Sequence, residues 1–415
     1  MNFTVNVAEF TKLFKPAFDC ASTKTLKEFL YQDMITFTSL EKGLKAISNN
    51  GTSAVAMIQE KSKDFNWKFN QEGTFTVKAS ELLDVVSSFP QEKHLDFKIE
   101  DGTLKIELSE DAEEFQYIAL LKEDVNLPIS SETKFNKPLE IDKKNLSEAI
   151  HSVFYSIGFR FFEPIWLHLV VRCNEKGFRV GAGDGARFAF DSLSGPEMIK
   201  NVSKDDNLFI HKNQVTVLQK ILEWSKVSFI QLQQNNVKSG QSNLMMKFDN
   251  LVLILFGQDV ETKWPDENIF LNRKNAYKLS IAIKDFDWAL KGLFASQTDD
   301  NSKHKAVMSF DLDKKVLFIK SSSGKSNRKV NISEVKSEGQ NNVITHECIA
   351  HQLSDAIKNA KGEYLQFEFA EMQEKKKPCI VRCSDTKEIQ DRPVFQNKIA
   401  NTEEMYELVI AHSNE

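Results

Sequence analysis

The sequence predicts an α+β protein built from three similar tandem domains, and three observations predict it. Amphipathic helical patterns recur six times in two sets, starting near Val7, Asp142 and Ile283 and near Lys78, Lys212 and Glu347. The intervals are 135 and 141 residues in the first set and 134 and 135 in the second, the mark of an internal repeat rather than one continuous core. At 415 residues the chain also exceeds a single ordinary core, since roughly 100–200 residues per domain argues for two to four.

In the first helix Phe10, Leu13, Phe14, Ala17 and Phe18 make one apolar face at 3.6-residue periodicity. The second carries Leu82, Leu83, Val86 and Phe89 and leads into LDFKIEDGTLKIEL, two alternating strands around Asp101-Gly102, a strong hairpin signal. A linker spans Asn126 to Pro138. The third helix places Leu146, Ile150, Val153, Phe154 and Ile157 on one face, and the fourth Val215, Leu218, Ile221 and Leu222, followed by the strands VSFIQLQQ and NLMMKF. After a linker from Thr262 to Lys274, the fifth helix carries Phe286, Leu290, Leu293 and Phe294. The sixth carries Ile349, Leu353, Ala356, Ile357 and Ala360, before the strands YLQFEFAEM and PCIVRC. The expected domains are residues 1–130, 131–266 and 267–415.

Composition excludes several classes. A net charge of -5, 27% charged and 41% hydrophobic residues describe an ordinary globular chain, not an intrinsically disordered one. Only 16 Gly and 9 Pro exclude collagen-like and low-complexity architectures. The longest apolar run, Leu251 to Phe256, is far below the ~18 residues of a spanning helix. The N-terminus shows no basic segment followed by an apolar core, so the expected location is the cytoplasm. Five scattered cysteines fit reduced buried thiols better than a disulfide framework.

The polar sides of the helices carry a second pattern. Lys12 and Lys15, Lys143 and Lys144, Lys212 and Lys220, Lys284 and Lys291, and Lys358 and Lys361 recur away from the apolar stripes of an acidic chain. One such face is ordinarily just solvated, but recurrence in five of six helices favours a polyanion, because Lys neutralisation of phosphates supplies sequence-independent affinity. Other signals are weaker. GAGDGA, residues 181–186, formally fits a dinucleotide fingerprint but is followed by strand-like RFAFDSLSG, so a turn between strands is expected. Cys379 and Cys383 lie in a strand-like stretch, where residues four apart stand roughly 13 Å from each other and cannot share one metal. His346 and His351 make no ligand pattern, and no carboxylate pair is marked for acid–base work. No metal, cofactor or catalytic residue is expected.

Several stretches, in order along the threefold repeat, resemble the bacterial DNA polymerase III beta subunits, the DNA sliding clamps. They are LFKPAFDCA, with Pro16 inside a helix where proline ordinarily costs ~3 kcal/mol; KASELLDVVSSFP; Asp184-Gly185-x-Arg187; Trp264-Pro265-Asp266; and WALKGLFAS, residues 288–296. The resemblance implies the DNA clamp fold: a ring of two head-to-tail subunits with three domains each, helices lining the hole and sheets outside. It implies a non-catalytic processivity factor that encircles double-stranded DNA in the nucleoid and tethers a polymerase and a clamp loader by peptide motifs. DNA-facing residues would be Lys12, Lys15, Lys24, Lys143, Lys144, Lys212, Lys220, Lys284 and Lys291, with Thr23 as the other match for position 24. The partner-binding cleft would involve Arg160, Phe162, Gly185, Arg187, Phe188, Val409 and Ile410. The subunit contact would join Leu293 and Phe294 to Phe115 and Tyr117 of the adjoining subunit. The cleft motifs depart from the family pattern, with Ala186 and Ala411 in place of larger residues, and the third repeat has added polar stretches near residues 297–305, 321–340 and 385–404. The alternative is a clamp-derived interaction protein that no longer closes on DNA; a nucleic-acid enzyme would need an acidic metal cluster that the sequence does not show.

Overall fold

The computed structural model describes residues 2–23, 30–60, 73–127, 129, 133–158, 164–175, 177–185, 187–195, 197–202, 206–236, 241–259, 264, 274–295, 305–321, 324–360, 362–371, 379–389 and 405–410. The helices of the expected repeat are α1 (Val7–Ser22), α2 (Ala79–Ser88), α3 (Lys143–Phe154), α4 (Lys212–Trp224), α5 (Ile283–Ala295) and α6 (Ala350–Lys358). Contacts divide the chain into two compact units, residues 1–144 with 210–261 and residues 145–209 with 262–415.

In the first unit one antiparallel sheet places Leu139–Asp142, Phe229–Asn236, Gln241–Lys247, Leu251–Asp259, Ser53–Glu60, Gly43–Asn49, Met34–Leu40 and Thr74–Lys78 side by side. A smaller sheet runs Asn2–Asn6, His94–Glu100, Thr103–Leu108, Asp111–Ala119. The expected hairpin is formed: Asp101 and Gly102 take φ of 46° and 78°, the left-handed pair that a two-residue turn with right-twisted strands requires. The core between helices and sheets is rich in phenylalanine. Phe3 stacks on Phe97 at 4.5 Å, Phe10 lies 5.1 Å from Phe97, and Phe37 lies 5.3 Å from Phe14 and 5.2 Å from Phe75. Offset and edge-on ring pairs add to simple burial, so the apolar stripe of α1 is fixed against both sheets.

Local polar groups set the helix starts. Asn6 Oδ1 accepts from Glu9 N at 3.2 Å at the start of α1. At α4, His211 accepts from Asn213 N, and Gln214 Oε1 accepts from His211 N at 2.9 Å, a reciprocal cap. The Gln214 amide then donates to Thr52 O and Phe256 O, both at 2.8 Å, pinning α4 to two strands of the large sheet.

In the second unit one sheet orders His168–Asn174, Gly177–Gly183, Arg187–Ser194, Met405–Ile410, Cys379–Ser384, Tyr364–Phe369, Tyr277–Ala282 and Glu334–Ser337. A smaller one orders Asn327–Asn331, Val316–Ser321, Lys305–Asp311, Val343–Ile349. GAGDGA is a turn between strands, as expected: it ends Gly177–Gly183 and leads into Arg187–Ser194, which pair antiparallel. α6 begins later than the periodicity predicts because the β-branched run from Val343 carries the strand on to Ile349. Among the described residues no helix is long and apolar enough to cross a membrane, and no group of three His, Cys, Asp or Glu side chains is placed to hold a metal.

Candidate functional site

The expected cleft residues converge in the second unit around one guanidinium. The turn after Gly183 is closed by Asp184, whose Oδ1 accepts from Arg187 N at 2.9 Å, with Gly185 at φ 86°. Arg187 is 5% exposed. Its Nη2 donates to Tyr155 O at 2.9 Å, its Nη1 contacts Asp355 Oδ2 at 3.3 Å and Gln352 O at 3.5 Å, and its Nε lies 3.2 Å from Asp184 Oδ2. The guanidinium carbon also sits 4.9 Å from the centre of the Tyr155 ring. One side chain therefore ties the end of α3, the turn and α6 together. Arg187 is a buried brace, not an exposed frame.

Beside it lies an aromatic wall. Trp166, Phe188 and Trp264 meet edge to face at 5.1–6.1 Å, over Ile165, Val170 and Phe209. Phe188 also stacks parallel on Phe190, which packs on Ile380. Glycines let these rings approach the backbone. A Cβ at Gly183 would fall 2.8 Å from the Phe188 ring, and one at Gly158 3.1 Å from Trp166. The strand Met405–Ile410 lies against the same elements, Val409 opposite both Phe188 and Ile380, and Ile410 opposite both Arg187 and Cys379. Gly185, Arg187, Phe188 and the backbone of Val409 and Ile410 are thus brought together, whereas Arg160, Phe162, Ala186 and the side chains of Val409 and Ile410 lie outside the described residues. Sequence reasoning missed Tyr155, Trp166 and Asp355. Trp166, large and apolar close to the quoted Arg160–Glu163 segment, was the one signal that could have been used.

The lysines divide by environment. Lys12, Lys15, Lys144, Lys284 and Lys291 are exposed on their helices. Lys15 pairs with Asp19 at 2.8 Å, and Asp19 also receives Lys220 from α4 at 3.1 Å; Lys291 pairs with Asp287. Lys143 is structural: its ammonium donates to Leu222 O at 3.2 Å and Ser225 O at 2.7 Å, satisfying carbonyls at the end of α4. Burial holds Lys212 below the usual lysine pKa. Lys24 and Lys361 lie outside the described residues.

The expected subunit contact is corrected in part. Phe115 and Tyr117, 45% and 52% exposed, meet at 5.3 Å on the edge strand Asp111–Ala119. Leu293, however, is 0% exposed. It belongs to the inward stripe of α5, as its spacing from Phe286 and Leu290 demands, so it offers nothing to another subunit. Phe294 is only half-buried, and Trp288 on α5 is 55% exposed, with the Arg328 guanidinium 5.0 Å from its ring.

No family model and no curated protein matches the sequence. Solved structures do match its fold. The DNA polymerase sliding clamp of Bacillus subtilis aligns with TM-score 0.78 at 13% identity, and the DNA polymerase III beta chain of Streptococcus pneumoniae with 0.79 at 16%. The DNA polymerase III beta subunit of Thermotoga maritima aligns with 0.76 at 14%. In each case 100% of both chains is covered. The chain therefore has, along its whole length, the fold of the DNA polymerase III beta sliding clamps, on a sequence that keeps little of theirs.

Proposed function

We propose that this protein is a DNA sliding clamp: a non-catalytic processivity factor whose three domains, residues 1–130, 131–266 and 267–415, form half of a head-to-tail homodimeric ring around duplex DNA. The observation that carries this reading is the end-to-end likeness to beta-subunit clamps at TM-scores of 0.76–0.79. The exposed amines of Lys12, Lys15, Lys144, Lys284 and Lys291 support it, since lysines on long stems contact phosphates without reading bases. A polymerase and a clamp loader would dock short apolar peptides beside Phe188 and Trp166. The protein would act in the cytoplasm, on the nucleoid.

Topology tests the reading. Protein allowed to reassemble in the presence of nicked circular plasmid should stay with the circle through a high-salt gel filtration and leave once the plasmid is linearised. Charge reversal at Lys12, Lys144 and Lys284 together should lower the amount loaded several-fold. Equal release from circular and linear DNA sinks the clamp reading and leaves a clamp-derived interaction protein.

A further inference from the structure

The first unit contains a cavity of about 530 Å³ that none of the features above uses. Its walls are Glu9, Lys12 and Leu13 of α1, Trp224 at the end of α4 with Ser225–Val227 after it, Gln59 at a strand end, and the turn at Asp249 and Asn250. The walls are held in place. The Trp224 indole N–H donates to Lys12 O at 2.9 Å, Ile58 N donates to Asn250 O at 2.9 Å, and the Asn250 amide reaches Gln59 Oε1 at 3.3 Å.

Pro16 explains the first of these bonds. Proline has no N–H, so the carbonyl four residues earlier, that of Lys12, lacks its helical donor, and the indole of Trp224 takes that place. The tryptophan is thereby fixed at the cavity wall.

Glu9 supplies the chemistry. Its Oε2 is shielded from solvent, and among the described residues no donor reaches it. A shielded carboxyl oxygen with no donor is an unmet demand that a ligand bearing N–H groups can fill. Asp249 adds a second carboxylate, and the negative end of the α4 dipole lies at Trp224 and Ser225, both favouring a cation. Lys12 and Lys226 also line the cavity but are solvent-exposed, so their ammonium groups can remain in water while their stems cover the rim. Trp224 and Leu13 provide the apolar part, and a planar cation on an indole face gains further attraction. The matching group is flat, cationic, rich in donors and carried on an aliphatic stem.

We propose that this cavity binds an arginine side chain presented by a partner polypeptide, the guanidinium donating to Glu9 Oε2 with its stem along Leu13 and Trp224. The site stands apart from the aromatic wall of the second unit and does not depend on the clamp reading. The test is a titration of the full-length protein with the blocked tripeptide acetyl-Gly-Arg-Gly-amide, followed through the indole N–H resonance of Trp224. A saturable shift is expected, absent with the uncharged citrulline analogue, weaker with the lysine analogue, and weakened at least tenfold in Glu9→Gln. Circular dichroism and a thermal melt establish that the variant is folded, and a Lys226→Gln variant should retain the shift. No saturable response, equal response to citrulline or lysine, a response unchanged in Glu9→Gln, or preferential response to tripolyphosphate would each overturn the proposal.

Discussion

Arg187 gathers four acceptor atoms from segments far apart in the chain: Tyr155 O lies 32 residues away, Asp355 and Gln352 more than 160. Truncating such a residue leaves buried carbonyls and carboxylates without donors, so Arg187→Ala is expected to cost about 3 kcal/mol in urea unfolding. Arg187→Lys should rescue less than half of that, because a point-like ammonium cannot span the same acceptors or lie on the Tyr155 ring; full rescue would show that charge alone matters. The buried thiols give a second measurement at this scale. Burial raises Cys20 and Cys348 from 9.0 to about 12. The thiol form is favoured in the folded state, so these groups are neutral for stability below pH 9. Between pH 9 and 12 the unfolded chain ionises first, and stability falls as pH rises. Both thiols should react with iodoacetamide at pH 8 at least a hundredfold more slowly than free cysteine. The double variant Cys20→Ala/Cys348→Ala should show a shallower loss of stability on the alkaline side, and an unchanged slope would refute the assignment.

Helix positions were legible because each helix needs one apolar face, and that demand is written at 3.6-residue spacing within a dozen residues. The same spacing already placed Leu293 inward, with Phe286 and Leu290, and the structure agrees with the periodicity over the contact implied by the family resemblance. What stayed illegible depends on distant partners. Nothing near Lys143 announces that its ammonium closes the end of α4, about 80 residues on. Nothing near residue 166 announces that its indole meets Phe188 and Trp264. The proline in α1 stands between these cases. Its strain was visible in the sequence; its compensation by Trp224 was not. A double-mutant cycle measures that compensation. Trp224→Phe alone should destabilise by about 1–2 kcal/mol, because Lys12 O then has neither donor. In a Pro16→Ala background, where residue 16 regains its N–H, the same change should cost clearly less, giving a coupling of about 1 kcal/mol. Additive effects would show that the indole bond and the proline are unrelated.

At the scale of the whole molecule, two exposed apolar patches call for partners, and they are not alike. One is Phe115 with Tyr117 on the edge strand Asp111–Ala119, whose other exposed residues include Asp111, Glu113 and Glu114. The other is Trp288, next to Arg328 on the edge strand Asn327–Asn331, where Lys329 is also exposed. An open strand edge carrying large apolar side chains invites pairing with another chain, and here an acidic edge has a basic counterpart. Joining unlike patches is a heterologous contact, which in a two-subunit ring must be made twice. The proposed dimer therefore predicts a specific pattern in sedimentation. Wild type should sediment at twice the chain mass at micromolar concentration. Phe115→Glu/Tyr117→Glu and Trp288→Glu should each give monomers, since either change spoils both contacts of a homodimer. Mixed in equal amounts, the two variants should recover a weaker dimer, because Phe115 and Tyr117 of the Trp288→Glu chain still meet an intact Trp288 on the other. Leu293→Ala, by contrast, should lower stability without altering the mass while the chain stays folded. If the mixture remains monomeric, or if Trp288→Glu alone leaves the dimer intact, the contact is not the head-to-tail one, and the ring proposed for this chain fails with it.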